Sequence, residues 1–292
     1  MEQTLSEQNN SEQKNIQPIN GEKTKLLYFL GSGNMAAAIG RGLAARPEVA
    51  LRLGFYDVTP AKAQALAAEV GGQAAATLAE AAEADVLMLA VKPQNMAELL
   101  ADLAPLIKPG QLILTIAAGL PLAWYEQRLP AGLAMVRAMP NTSASVGAAI
   151  TGLMAGALAS AADKRLAEQV FAAVGEYLWL DEQEVHALTA LSGSGPAYYY
   201  YFTEALAAAG EALGLSAGTA QALARQTAIG VGRLLEAQPE VSPAELRRQV
   251  TSKGGTTAAA LQVFMAENAL PELVNNACRA CAQRSEEMGR GE

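Results

Sequence analysis

The stretch Tyr28-Phe29-Leu30-Gly31-Ser32-Gly33-Asn34-Met35-Ala36 decides the fold, because it joins an apolar strand to a helix through two glycines one residue apart. Lys25 to Leu30 reads as a buried strand, and Asn34 to Ala45, rich in Ala, Met and Ile, as the helix that follows. The turn between them has the form G-x-G-x-x-A. Its first glycine permits a tight turn, its second lets backbone approach a pyrophosphate, and Ala36 lets helix and strand close up. The helix N-terminus then offers unpaired N–H groups to an anion. An incidental small-residue turn in an Ala-rich chain is the plain alternative, and the position after a strand and before a helix weighs against it.

Working outward, Leu51 to Tyr56 forms a second strand that ends in Asp57, about twenty residues beyond the turn, where a ribose-contacting acid belongs. The competing reading is a solvated turn residue before Thr59-Pro60. In the functional reading, charge sets cofactor preference. Two like charges about 4 Å apart cost roughly 4 kcal/mol at an effective dielectric of ~20, so NADH is expected over NADPH.

Pro60 opens a helix to Val70, and Thr77 caps a short Ala/Glu helix. The third strand, Asp85 to Val91, is apolar from Val86 onward, as in a parallel sheet covered on both faces. It leads into Lys92-Pro93-Gln94, a helix from Asn95 to Leu106, and a fourth strand, Leu112 to Ile116. The small residues Ala117-Ala118-Gly119 at that strand's end leave room for a flat ring. A helix at Leu122 to Arg128, a strand at Ala134 to Ala138, the segment Met139-Pro140-Asn141-Thr142, an extended Gly147 to Gly152, a helix at Ala162 to Val174 and a strand at Glu176 to Leu180 follow. This alternation predicts a doubly wound, mostly parallel sheet over 22–181, with late strands free to pair antiparallel.

From 182 to 292 the pattern is helical throughout, over Glu184 to Leu191, Tyr198 to Leu213, Ala217 to Glu236, Ala244 to Val250, Ala258 to Glu267 and Pro271 to Glu287. Ser242-Pro243-Ala244-Glu245 reads as a capping box with proline in the first turn. Two breaks stand out. Val250-Thr251-Ser252-Lys253-Gly254-Gly255-Thr256-Thr257 forms a backbone nest ahead of a helix, suited to a small carboxylate, although an ordinary loop with a Thr cap would look similar. Leu191-Ser192-Gly193-Ser194-Gly195-Pro196 reads as well as a close helix contact as a ligand contact. The row Tyr198 to Tyr201 runs right round a helix, so it is expected to feed both core and subunit interface. The apolar surface of this half points to a homodimer.

The whole composition fits a globular protein. With 292 residues, 51% of them hydrophobic, the chain has room for two domains. A net charge of −8 without a dense Lys/Arg cluster argues against nucleic acid, and no apolar run reaches membrane-spanning length. Residues 1–21, polar and without the apolar core of a signal peptide, read as a disordered tail, and a cytoplasmic location is expected. The two cysteines form a C-x-x-C at Cys278 and Cys281. With no second ligand pair and the single histidine, His186, distant in sequence, they read as helix thiols and no metal site is expected.

Taken together these residues resemble pyrroline-5-carboxylate reductase. The likeness rests on F-L-G-S-G-N-M-A at 29–36, L-A-V-K-P-Q at 89–94, A-A-G at 117–119, M-P-N-T at 139–142, L-S-G-S-G-P-A-Y at 191–198 and V-T-S-K-G-G-T-T at 250–257, in that order and spacing. It implies an α/β Rossmann domain followed by an all-α dimerisation domain, with an active site shared between two chains. It implies NADPH or NADH as cofactor, pyrroline-5-carboxylate as substrate, proline as product, and a homodimer, alone or as the unit of a higher oligomer. The cofactor contacts it implies fall on Leu30, Gly31, Ser32, Gly33, Asn34 and Met35, on Asp57, Thr77, Ala90, Val91, Lys92 and Pro93, on Ile116, Ala117 and Ala118, and on Gln249. The implied substrate contacts are Glu182, Val250, Ser252, Gly255, Thr256 and Thr257, and Thr257 is the candidate to hydrogen-bond the ring nitrogen. The chain departs from the family pattern at Asp57, Thr77 and Gln249, which bears on cofactor preference and not on the reaction.

Two rival readings lack support in the residues. A β-hydroxyacid-type dehydrogenase needs a lysine base in the helical half, where the one lysine, Lys253, lies in a glycine loop. A dinucleotide-binding sensor would bind without turnover.

Overall fold

A computed structural model describes residues 24–290, so the stretch read as a polar tail lies outside the described residues. The chain divides into two compact units, the first ending at Glu182 and the second beginning at Gln183.

The first unit is built on one eight-stranded sheet: β1 (Lys25–Leu30), β2 (Leu51–Tyr56), β3 (Gln73–Ala74), β4 (Val86–Leu89), β5 (Leu112–Thr115), β6 (Ala134–Met139), β7 (Ala149–Ala155) and β8 (Gly175–Trp179). The strand order is β3-β2-β1-β4-β5-β6-β7-β8. β1 to β6 run parallel, β7 pairs antiparallel to β6, and β8 pairs parallel to β7. Every residue of β4 and β5 is buried, which explains why those strands read as unbroken apolar runs.

Alternation along the strands divides the core between the two faces of the sheet. On one face Leu27, Phe29, Phe55, Met88 and Leu114 pack with α1 (Asn34–Ala44), α2 (Pro60–Val70) and α6 (Ala161–Ala172). On the other, Tyr28, Leu30, Leu87, Leu89, Ile113 and Met135 pack with α3 (Leu78–Ala81), α4 (Met96–Leu103) and α5 (Leu122–Glu126).

The differences from the sequence reading are local. β3 has only two residues, too few to show a period, and was not expected. The extended stretch expected at 147–152 is β7, shifted to Ala149–Ala155. α6 starts at Ala161, where Ser160 and Asp163 complete a reciprocal capping box.

The second unit is helical: α7 (Val185–Leu188), α8 (Gly195–Ala212), α9 (Ala217–Ala237), α10 (Pro243–Gln249), α11 (Thr256–Met265) and α12 (Ala269–Arg290). Leu191 to Pro196 is not a loop. A π-helical turn over Thr189–Gly193 joins α7 to α8, with Ser194 N–H donating to Thr189 C=O at 2.8 Å. α12 packs on this turn, and the Cys281 thiol donates to Ser194 Oγ at 3.2 Å. Ser242 caps α10, accepting from Glu245 N–H at 3.2 Å, but the expected capping box is only half made, because the Glu245 carboxylate pairs with Arg248. The tyrosine row corrects the expectation that it feeds a core. Tyr199, Tyr200 and Tyr201 are 74%, 68% and 72% exposed in the single chain, and Tyr198 is 37% exposed. Large apolar side chains on α9, α11 and α12, among them Leu223, Val231, Leu234, Val263, Leu273 and Val274, are likewise exposed.

Candidate functional site

The first group of residues gathers at the carboxyl ends of the parallel strands. Gly31 follows β1 with φ +105°, a conformation that side chains resist, and an added Cβ would lie 2.8 Å from Ala90 C=O and 3.0 Å from Val91 N. The glycine turn and the Ala90–Pro93 loop are therefore pressed together, and only glycine fits at 31. Gly33 is the opposite case: it is the N-cap of α1, and a Cβ there would meet nothing within 4 Å. The first α1 N–H groups, at Asn34, Met35 and Ala36, precede the first internal bond, from Ala37 N–H to Gly33 C=O at 2.9 Å.

Asp57 is half-buried at the end of β2, and its carboxylate is held by backbone. Oδ2 accepts from Ser32 N–H at 2.8 Å and Oδ1 from Thr59 N–H at 2.9 Å. It is thus neither a free turn residue nor a mobile charge. It fixes the glycine turn to the end of β2 and leaves its negative charge beside that turn. Ser32 N–H is consumed by this bond, and Gly31 N–H by Tyr56 C=O at 2.8 Å.

The Ser32 side chain adds an unused polar atom beside these N–H groups. Its Oγ is shielded and has no partner. Open space at Gly33, free helix N–H groups and an orphan hydroxyl are what a bound pyrophosphate would use, so the residues present fit a dinucleotide.

The other first-unit candidates sort by burial. Ile116, Ala117 and Ala118 follow β5, with Ala117 buried and its neighbours half-buried. Ala90, Val91 and Pro93 are half-buried and Lys92 is exposed. Thr77 is exposed and caps α3, accepting from Glu80 N–H at 3.2 Å, while Glu80 reaches back to Ala76 N–H at 2.9 Å.

Glu182 is the last residue of the first unit. Its Oε1 accepts from the Arg137 guanidinium at 2.9 Å and from Leu122 N–H at 2.7 Å. Arg137 is only 4% exposed at its side chain, an internal cation that needs such a partner. Sequence reasoning missed Arg137, Thr115 and Tyr125. Charge inside an otherwise apolar strand was the one available signal, at Arg137.

The second group lies in the helical unit, around the start of α11. Gly254 has φ +71°, Gly255 is the N-cap in extended conformation, and no side chain caps the helix, so the N–H groups of Thr256 and Thr257 open the first turn. Gly255 N–H closes the loop onto Ser252 C=O at 3.1 Å, and a Cβ on Gly255 would lie 2.4 Å from Ser252 Oγ. Ser252, Thr256 and Thr257 are exposed, as is Val250 at the end of α10, next to Gln249. Lys253, in the same loop, is also exposed.

Comparison with known proteins places both units. The family model for pyrroline-5-carboxylate reductase dimerisation matches residues 182–288, and that for the coenzyme F420-dependent NADP oxidoreductase family matches residues 27–119. A pyrroline-5-carboxylate reductase of Pseudomonas aeruginosa is 45% identical over 267 residues, covering 91% of this chain and 97% of that protein. Among solved structures, a pyrroline-5-carboxylate reductase of Coxiella burnetii superposes with a TM-score of 0.85 at 36% identity, covering 91% of this chain and 99% of the other. The Plasmodium falciparum enzyme with NADP bound superposes with a TM-score of 0.77 at 28% identity, over 92% of this chain and 100% of the other. With identity at this level sustained across nearly the full length of both chains, the protein belongs to the pyrroline-5-carboxylate reductase family.

Proposed function

We propose that the protein reduces L-1-pyrroline-5-carboxylate to L-proline with NADH or NADPH, as a homodimer in the cytoplasm. The observation that carries the reading is the pairing, in one chain of this family, of a dinucleotide turn with an orphan Ser32 hydroxyl and an uncapped helix start at Thr256 and Thr257. When bound, the reduced nicotinamide supplies a hydride to the imine carbon, and one proton from solvent completes the amine nitrogen. The rest is orientation. Gly31 lets the turn approach the Ala90–Pro93 loop, Gly33 leaves room for phosphate, and Asn34, Met35 and Ala36 present N–H groups to it. Leu30 and Ser32 border the same turn. Ala117 and Ala118 offer a small-residue floor for the ring, with Ile116 beside it.

On the substrate side, Ser252, Gly255, Thr256 and Thr257 supply N–H and hydroxyl donors for the carboxylate. Thr257 is the candidate to hold the ring nitrogen and its proton. Val250 and Gln249 border this loop, and Thr77 and Lys92 border the nucleotide. No lysine or histidine base is required, because a protonated imine is already electrophilic. Asp57 keeps its charge beside the ribose end of the site, which favours NADH over its 2′-phosphorylated form.

The test is one assay: oxidation of NADH and of NADPH by the purified protein with pyrroline-5-carboxylate, beside Thr257→Ala. The expected result is turnover with NADH at least about tenfold more efficient than with NADPH, a gap of ~1.4 kcal/mol, and a clear loss of kcat in the variant. Dinucleotide binding without imine turnover would defeat the reductase reading, and full turnover by Thr257→Ala would remove that hydroxyl from the step.

A further inference from the structure

The carboxyl end of β5 carries a buried polar assembly that the site described above does not use. Thr115, the last residue of β5, and Tyr125, on α5, are both fully buried, and their hydroxyl oxygens are 2.8 Å apart. Thr115 Oγ1 also accepts the Ala117 N–H at 3.4 Å. Thr115 and Arg137 are register partners across β5 and β6, so the ion pair of Arg137 with Glu182 lies on the same face of the sheet. Glu182 accepts the first N–H of α5, at Leu122.

α5 has only five residues, too few to hold itself together in water, and its position depends on these bonds. The segment between Thr115 and Leu122 is therefore clamped at both ends. One clamp is the Tyr125–Thr115–Ala117 chain, and the other is the Leu122–Glu182–Arg137 chain. The clamped segment contains Ile116, Ala117 and Ala118.

We propose that Tyr125 is a positioning residue for the nicotinamide end of the cofactor: its hydroxyl fixes the Thr115 rotor so that Thr115 Oγ1 holds the Ala117 N–H and sets the 116–118 segment against which the ring lies. A threonine hydroxyl with no second partner turns among its staggered positions. Bonded to Tyr125, it keeps a lone pair directed at Ala117. Burial leaves the Tyr125 hydroxyl no water as a substitute, so removing it frees the Thr115 rotor at no gain elsewhere. Arg137 and Glu182 act one step further out, by fixing the start of the helix from which Tyr125 hangs. The proposal rests on the dinucleotide reading of the first unit and does not depend on which substrate is reduced.

The experiment compares the full-length wild-type protein with Tyr125→Phe, Thr115→Val and Thr115→Ser. Affinity is measured for NADH and for ADP-ribose, which lacks the nicotinamide, by titration. The expected result for Tyr125→Phe and Thr115→Val is NADH affinity reduced about fivefold with ADP-ribose affinity unchanged, and wild-type behaviour for Thr115→Ser. In turnover, kcat falls about tenfold, KM for the imine stays within about twofold, and the primary isotope effect from 4-deuterated NADH rises, because a misplaced ring slows the hydride step itself. NADH and ADP-ribose affinities that shift together, or not at all, overturn the proposal. So does a fall in activity that only tracks the folded fraction, with an unchanged isotope effect. If Tyr125→Phe does not fold, the contrast between Thr115→Ser and Thr115→Val decides the matter by the same readings. Loss of the reductase reading shows separately, as a wild-type protein that binds NADH but leaves the imine untouched, and in that case the NADH and ADP-ribose affinities still decide whether Tyr125 positions the ring.

Discussion

Asp57 does two things with one carboxylate: it ties β2 to the glycine turn through Ser32 N–H, and it leaves a negative charge beside that turn, which in the proposed nucleotide site would oppose a 2′-phosphate. Replacing it should separate these effects. Asp57→Ser is expected to move the ratio of NADPH to NADH efficiency upward by about tenfold or more, and to lower stability by about 1–2 kcal/mol through the weakened backbone bonds. Steady-state kinetics with both cofactors and a denaturant melt read the two separately, and an unchanged cofactor ratio would discard the charge argument. The place of Asp57 was legible in the sequence, because strand length fixes its distance from the glycines. Its bond to Ser32 was not, since nothing in a linear pattern says which N–H a carboxylate will choose. Tyr125 and Thr115 were invisible for the same reason: their pairing depends on where a five-residue helix lands on the sheet. Burial pushes the Tyr125 hydroxyl up to about 12 despite the opposing influences of Thr115 and Arg137, so it remains a neutral hydrogen-bonding group throughout the physiological range.

Among the elements, the strands show most clearly in the sequence and the joints between helices least. β4 and β5 announce themselves as apolar runs because both of their faces are covered, whereas the two residues of β3 are placed by long-range contacts, the pairing with β2 and the Gln73 amide donating to the Tyr28 hydroxyl at 3.1 Å. The glycines and serines of 192–195 suggest a broken helix, yet the chain continues through a π turn, since Ser194 N–H finds Thr189 C=O one residue beyond the usual acceptor. The start of α11 was legible because Gly254-Gly255 breaks the helical pattern just before an Ala-rich run. Its geometry supports a direct test. In Gly255→Ala the new Cβ would press on Ser252 Oγ and on Ser252 C=O, at 2.4 and 3.2 Å, so the loop must shift. The expected outcome is a KM for pyrroline-5-carboxylate raised about tenfold with NADH affinity unchanged, measured by initial rates and by titration. An unchanged KM would take this helix start out of the substrate site.

At the scale of the molecule, the two units differ in how much of their apolar surface they hide. The sheet unit encloses its large side chains on both faces. In the helical unit the buried apolar residues are few and small, such as Val185, Ala190, Ala207, Ala220 and Ala224, while tyrosines, leucines and valines lie open in the single chain. The sequence pointed to a partner here by sheer apolar content, but it could not assign the tyrosine row wholly to the outside, because a residue facing a second chain and one facing its own core carry the same hydrophobic signal. The stability of this unit should therefore follow mass action. A hundredfold rise in protein concentration is expected to add about 2.7 kcal/mol to it and to raise its unfolding midpoint, with the sheet unit responding less. Calorimetry across that concentration range tests this, and a midpoint independent of concentration would contradict the homodimer. The same imbalance bears on how the protein is made. The sheet unit precedes the helical unit along the chain and carries a complete core, so it can fold while synthesis continues, whereas the helical unit emerges after it and needs a second chain to cover its exposed tyrosines before they attract something else.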